Sequence, residues 1–470
     1  MQPSKKYNGP RKKAFVNQTY FVAKERTLLG RCTVGQASVV SLRRVGTTVA
    51  ILLVCIFVTS SAVQSEEGAG VLRAGTAKID ITPKKPVRMA GYRGRTELSE
   101  GVHDPLSARV VAFANNGKRL VLVSTDLIGF SRGTAEHFRK IILDEFELEP
   151  SELFLSGIHT HAGPSLTIDE KEGHPNNLEY TKSLEARLIE VIRKSLNNLG
   201  PVHIGAGIGY SPVGLNRREL RFDSSGNSSV RLGRNPYGPT DKEVLVMKLI
   251  KPDGVVVAAL FDYAIHATCL GGKNRIISGD VIGLAEQFVE KILGQDVVAP
   301  AFTGASGNIN PWFRVLPEFN TEPGWVPEPV LLGTMLGEEV VHTFRNIEKV
   351  SGIGEIATAF ITLELPGKPR SEDKIEKGHP PTPLNITAAR VGDIAFVGIG
   401  CEVLTEIGMA IKAASPYKHT FVITHCNGAA GYLPPEHLYV EGGYEIASSP
   451  FAPQAADIVV RQATEMLYGL

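Results

Sequence analysis

The sequence predicts an α/β fold on three observations. Apolar runs of strand length alternate with segments of helical periodicity along most of the chain. A composition of 43% hydrophobic and 21% charged residues is that of a globular protein. The 470 residues also exceed what one small core needs, so two or more lobes are expected.

The first element, 75–83 (Gly-Thr-Ala-Lys-Ile-Asp-Ile-Thr-Pro), alternates as a strand does, and 119–124 reads as a buried strand ending at Asp126. Helical periodicity follows over 133–146 and 178–199, with a short apolar strand, 152–158, between them. Segments 202–209 and 244–251 read as strands around a polar, glycine-rich surface loop, 223–240. Residues 255–266 form a third apolar strand, and 281–293 the helix after it. A Gly/Asn-rich turn at 304–311, a proline-rich connection at 317–329 and a helix ending near residue 346 come next. The breaker zone 366–383 mixes Pro, Lys and Glu, and a lobe boundary is expected near 366–385. Strands at 394–400 and 420–424 and helices at 403–414 and 454–468 complete the chain, and no internal sequence repeat is visible.

Charge separates a leader from a body. Residues 1–44 hold ten Lys/Arg and one acid, Glu25, whereas the remainder carries 40 basic and 48 acidic side chains, a formal −8. An acidic body argues against nucleic acid as a partner. Residues 45–63 are uncharged, contain Val-Ala-Ile-Leu-Leu-Val-Cys-Ile-Phe-Val, follow Arg43-Arg44 and run into Thr-Ser-Ser-Ala. Residues 1–64 therefore read as a basic leader with a secretory signal or an uncleaved N-terminal anchor, and the domain proper as 70–470, exported from the cytoplasm. Cys269, Cys401 and Cys426 in the body make no disulfide framework; a single Cys401–Cys426 bridge and three buried thiols are the alternatives.

The chemistry-bearing residues cluster after apolar strands. His159 and His161 lie two apart, so in extended backbone both project to one side at the rim of a sheet. That spacing is a common metal half-site and also arises by chance. His266 ends an apolar run, where the alternative is a hydrogen-bonded histidine capping a buried strand. Glu402 stands where a strand gives way to a helix, a place equally suited to a helix cap. Tyr432 lies just past a strand and is either packed or functional. Their shared placement at strand ends is where ligand sites of open α/β sheets gather. Asp126 and Asp280 are candidate oxygen ligands or buried structural carboxylates. The glycines of 205–209 do not match dinucleotide spacing.

Several collinear motifs together resemble the neutral/alkaline non-lysosomal ceramidase family. They are Ala74-Gly-Thr-Ala-Lys-Ile-Asp-Ile-Thr-Pro, Met89-Ala-Gly-Tyr, Gly101-Val-His-Asp-Pro-Leu-Ser-Ala-Arg, Val123-Ser-Thr-Asp, Ile277-Ser-Gly-Asp and Gly443-Tyr-Glu. The most specific is His159-Thr-His-Ala-Gly-Pro, similar to the family's His-Thr-His-Ser-Gly-Pro signature. The resemblance covers about 75–447 and implies a mixed-sheet catalytic domain of that type, here without the family's C-terminal immunoglobulin-like domain.

It further implies one zinc ion held by His159, His266, Glu402 and Tyr432, the last matched by its place five residues after Asn427. His161, Arg217 and Tyr444 correspond to the proton-moving and substrate-side residues, with Arg218 a rival to Arg217. The implied activity is zinc-dependent hydrolysis of the amide bond of ceramide or a related N-acyl lipid, with association to a membrane surface. One departure bears on mechanism: Asn310 stands where the family has a serine, and an amide forms no acyl-enzyme. Attack by water, an ester or peptide substrate, and a non-catalytic zinc-stabilised binding protein are the resulting alternatives.

Overall fold

The computed structural model describes residues 70–131, 133–312, 328–368 and 380–470. The expected leader, most of the 317–329 connection and most of the 366–383 zone lie outside the described residues. Among the described residues no helix is long and apolar enough to cross a membrane.

The α/β class holds, and the sheets are mixed. Three sheets share one topology: three antiparallel strands, a helix, and a fourth strand lying parallel to the third. In the first sheet the strands are Arg73–Asp80, Ser107–Asn115, Lys118–Thr125 and, after the helix Thr134–Phe146, Leu153–Gly157. A two-residue strand, Gly200–Pro201, adds to its outer edge. The second has His203–Tyr210, Glu243–Ile250, Val256–Tyr263 and, after the helix Asp280–Leu293, Ala301–Thr303. The third has Ile356–Leu365, Thr382–Val391, Ile394–Ile399 and, after the helix Thr405–Ala414, His419–Ile423. A further helix follows each fourth strand and packs on its own sheet: Pro175–Asn197, Glu328–Asn346 and Ala455–Tyr468. The described residues thus form a threefold βββαβα repeat that the sequence does not display.

Burial explains why most of the strands are legible. Leu122, Phe154, Met247, Leu260, Phe302 and Phe396, drawn from all three sheets, share one core. The opposite faces pack on helices, as Val121, Val123 and Leu155 do with Leu184 and Leu188. Strands covered on both faces read as continuous apolar runs rather than as alternation. The fourth strands converge: the Thr424 amide donates to the Thr303 carbonyl at 2.9 Å, and the Asn427 amide to that of Leu155 at 2.8 Å. Six ends, those of each third and fourth strand, are thereby brought together.

Two expectations need correction. The polar excursion 223–240 is not all loop, because Ser228–Leu232 pairs antiparallel with Arg218–Phe222 as a two-stranded hairpin. The zone near 366–385 connects two neighbouring strands of one sheet, Ile356–Leu365 and Thr382–Val391, so no lobe boundary falls there. Of the two alternatives for the cysteines the buried one holds, because Cys269, Cys401 and Cys426 are all buried and no Cys401–Cys426 bridge forms.

Candidate metal and catalytic site

The repeat dictates which residues meet. His266 and Glu402 each follow the last residue of a third strand by three positions, and His159 follows its fourth strand by two. Glu402 then pairs in register with Tyr432 in a short parallel ladder. Asn310 pairs with Leu215, bringing Arg217 alongside.

Backbone carbonyls fix both imidazoles. His159 Nδ1 lies 2.9 Å from the Ile128 oxygen, and His266 Nδ1 lies 2.7 Å from that of Ser306. Each Nδ1 is therefore the protonated nitrogen, and each Nε2 offers a lone pair to the centre. Those lone pairs face a carboxylate: Glu402 Oε2 is 3.6 Å from His159 Nε2 and 3.4 Å from His266 Nε2. Glu402 Oε2 is itself buried without a hydrogen-bond partner. Burial works against ionisation of this carboxyl, but the histidines around it hold it well below the usual carboxylate range. Burial keeps His266 neutral, with a pKa lowered to about 4.

Acceptors converging with no hydrogen between them are what a cation resolves. Two ligands about 2.0–2.1 Å from one tetrahedral zinc lie about 3.3–3.4 Å apart, close to the separations here. The donor set of imidazole nitrogens and a carboxylate oxygen suits zinc, so the residues fit that ion.

His161 adjoins this cluster, its Nε2 3.3 Å from that of His159. The motif residues around it have a physical reason. Gly91 has φ +94°, and a Cβ there would lie 2.3 Å from His161 Nδ1. The Tyr92 ring packs edgewise on the imidazole at 5.0 Å, and Arg95 Nη2 donates to the His161 carbonyl at 2.5 Å. Burial, then the neighbouring His159 and His266, hold His161 well below its ordinary pKa.

Arg217 and Arg218 separate cleanly. Both are buried, but Arg217 faces the cluster: its Nη2 donates to the Tyr432 hydroxyl at 3.2 Å and its Nη1 to Asn310 Oδ1 at 3.2 Å. Nη1 also lies 3.3 Å from His266 Nε2. Arg218 points away, to Glu441 and the Gly442 carbonyl. Burial opposes the Tyr432 phenolate, as does Glu402, so the hydroxyl titrates well above its ordinary range. Tyr444, about half exposed, edges the Tyr432 ring at 5.5 Å.

All eight site residues expected from sequence, His159, His161, Arg217, His266, Asn310, Glu402, Tyr432 and Tyr444, thus lie in one neighbourhood. Two others join them. Glu445, fully buried, accepts from both Arg217 and Arg218 at 2.8 and 2.9 Å. His425 stacks on His159 with ring centroids 3.8 Å apart. The signal for His425 is the one used for His159, a histidine just past an apolar strand.

The remaining motifs are scaffold. Asp126 pairs with Arg109 and accepts from the Ser107 amide, and Asp280 accepts from the Cys269 and Leu270 amides. Both are engaged structurally. Asp104 receives Ser278 Oγ and the Gly279 amide, while Thr160 Oγ1 donates to the Ser278 carbonyl, tying two motifs to the His159 turn. A cavity of about 1040 Å³, lined mainly by the strand His203–Tyr210 and the helix Glu328–Asn346, includes none of the clustered residues.

A mixed α/β repeat with a His/Glu cluster at its converging strand ends is the class of protein so defined. The family profile described as "Neutral/alkaline non-lysosomal ceramidase, N-terminal" matches residues 72–311, and the chain belongs to that family. A neutral ceramidase of Oryza sativa subsp. japonica is 28% identical over 253 residues, covering 51% of this chain and 31% of the relative. A neutral ceramidase of Mycobacterium tuberculosis is 26% identical over 259 residues, covering 51% and 40%. The chain spans about a third of the length of the curated relatives it matches. The crystal structure of neutral ceramidase from Pseudomonas aeruginosa superposes with a TM-score of 0.66 at 19% identity, covering 84% of this chain and 74% of that one. The expected fold class is therefore the observed one.

Proposed function

We propose that this chain is a zinc-dependent amidohydrolase that cleaves the N-acyl amide bond of ceramide or a related N-acyl lipid. The observation carrying this reading is the convergence of the His159 and His266 Nε2 lone pairs on the buried Oε2 of Glu402, beside the cationic Arg217. His159, His266, Glu402 and Tyr432 would hold the ion. Bound there, zinc supplies Lewis acidity and the means to ionise water near neutral pH.

The protein's own groups supply the rest. His161 is neutral and partly buried at the edge of the cluster, which suits it to take a proton and pass it to the departing amine. Arg217, oriented by Glu445 and Asn310, presents N–H donors to the oxygen on which negative charge develops. Tyr444, at the open side, adds a hydroxyl donor. Asn310 is neutral and engaged by Arg217, which favours attack by water over an acyl-enzyme.

A lipid substrate is favoured by the surface beside Arg217. Leu220, Phe222 and Leu232 on the Arg218–Phe222 hairpin are exposed, a wettable apolar rim suited to a membrane surface. Export is part of the same proposal, carried by the basic and apolar leader, and N-terminal sequencing of the mature protein tests it. Matched fluorogenic substrates sharing one acyl chain, one an amide and one an ester, test the reaction. Chelator-sensitive turnover of the amide supports the reading. Turnover of the ester alone moves the bond, and turnover of neither leaves a binding role.

A further inference from the structure

We propose that His425 is a ligand of the metal centre, supplying through Nε2 a nitrogen absent from the four-residue set of His159, His266, Glu402 and Tyr432. The inference rests on the zinc reading above and adds a residue to it.

Three independent observations carry it. First, His425 is 3% exposed and its Nε2 has no hydrogen-bond partner. An imidazole nitrogen buried in that way is costly, and a leucine or phenylalanine would fill the space without the cost. Second, ligand atoms of His159, Glu402 and His425 all lie within 4.8 Å of one another, a spacing fit for one ion. Third, the repeat places His425 where it places His159. Each lies two residues past the fourth strand of its unit, Leu153–Gly157 for one and His419–Ile423 for the other. Each also adopts the left-handed backbone, with φ of +62° and +53°. A non-glycine residue held there carries strain that a required side-chain direction explains. In the second unit the same position is Ala305, so the two histidines and the third-strand residues His266 and Glu402 come from a common geometric plan.

Stacking on His159 is the competing role, and a phenylalanine separates the two because it keeps the stacked ring and removes the nitrogen. The test uses the full chain as wild type, His425→Phe and His425→Gln. Zinc affinity is measured by chelator competition, and the ligand field by the visible absorption of the cobalt-substituted proteins. The expected result is one zinc per wild-type chain and affinity lowered at least ~10-fold in both variants, with a changed cobalt spectrum. Wild-type affinity and an unchanged spectrum in His425→Phe would overturn the inference while leaving the zinc reading intact. Absence of zinc from the wild type overturns both. Should the variants fail to fold, X-ray absorption of the wild-type zinc protein decides: three imidazoles support the inference and two overturn it.

Discussion

Arg217 and Glu445 form a buried pair at 2.8 Å, and the same carboxylate also receives Arg218 at 2.9 Å. One acid thereby holds two adjacent arginines in opposite directions, Arg217 towards the histidines and Arg218 away from them. Glu445→Gln should leave Arg217 free to swing, lowering kcat by about 10- to 100-fold with little change in KM, because the interaction lost is one made with developing charge. Steady-state kinetics check this, and a change confined to KM would contradict the role given to Arg217.

Gly91 is the wall behind His161. Alanine there places a Cβ 2.3 Å from Nδ1 and forces a left-handed backbone, worth about 1–2 kcal/mol, on a residue that resists it. Gly91→Ala should displace His161 and reduce turnover at least ~10-fold while zinc content stays at the wild-type level. Elemental analysis beside a rate measurement separates these, and loss of zinc would make His161 part of the metal set instead.

Asn310 takes no covalent part in this account. Its side chain contributes one hydrogen bond to a charged donor, Arg217, an interaction worth about 1.5–3 kcal/mol. Asn310→Ala should therefore retain measurable hydrolysis, reduced by about 10- to 100-fold. A rate indistinguishable from the uncatalysed one would assign Asn310 a direct catalytic role.

How much of this was legible in the sequence follows from burial. Runs such as Leu-Val-Leu-Val in Lys118–Thr125 are covered on both faces and announce themselves. The strand Ser107–Asn115 is as deeply buried but carries Arg109 as its third residue, and the acids that neutralise it lie 17 to 181 residues away. No local pattern contains that information. The Arg218–Phe222 hairpin is exposed and charge-rich, so it reads as loop. The ligand-type residues were visible one at a time as polar groups after apolar strands; their convergence was not, because it arises from a threefold repeat whose units have diverged in sequence.

Arg109 itself makes the strongest stability prediction. It is fully buried between Asp126, Glu286 and Glu290, and removing it leaves three carboxylates in the core. Arg109→Leu should destabilise the fold by about 3–5 kcal/mol, read as a lowered urea midpoint. A loss below about 1 kcal/mol would show that the acids are neutralised some other way.

Asp262 gives a pH dependence. Its carboxyl is buried, Oδ2 accepts from the Val422 amide and Oδ1 has no partner. Burial pushes its pKa up to about 7, from about 3.9 in the unfolded chain. Below the lower value the carboxyl is protonated in both states. Between the two only the unfolded chain ionises, so stability falls as pH rises and the loss is complete above about 7. Asp262→Asn should remove this fall, seen by denaturant titration from pH 4 to 8. Parallel wild-type and variant curves would contradict it.

The central claim is that the His/Glu cluster is a zinc site that hydrolyses an N-acyl amide. The most direct measurement is zinc content of the purified chain by elemental analysis, paired with hydrolysis of a fluorogenic N-acyl-sphingosine before and after chelation. The account predicts one zinc per chain and cleavage that chelator abolishes and added zinc restores. A metal-replete protein without stoichiometric zinc, or cleavage indifferent to chelator, would contradict it.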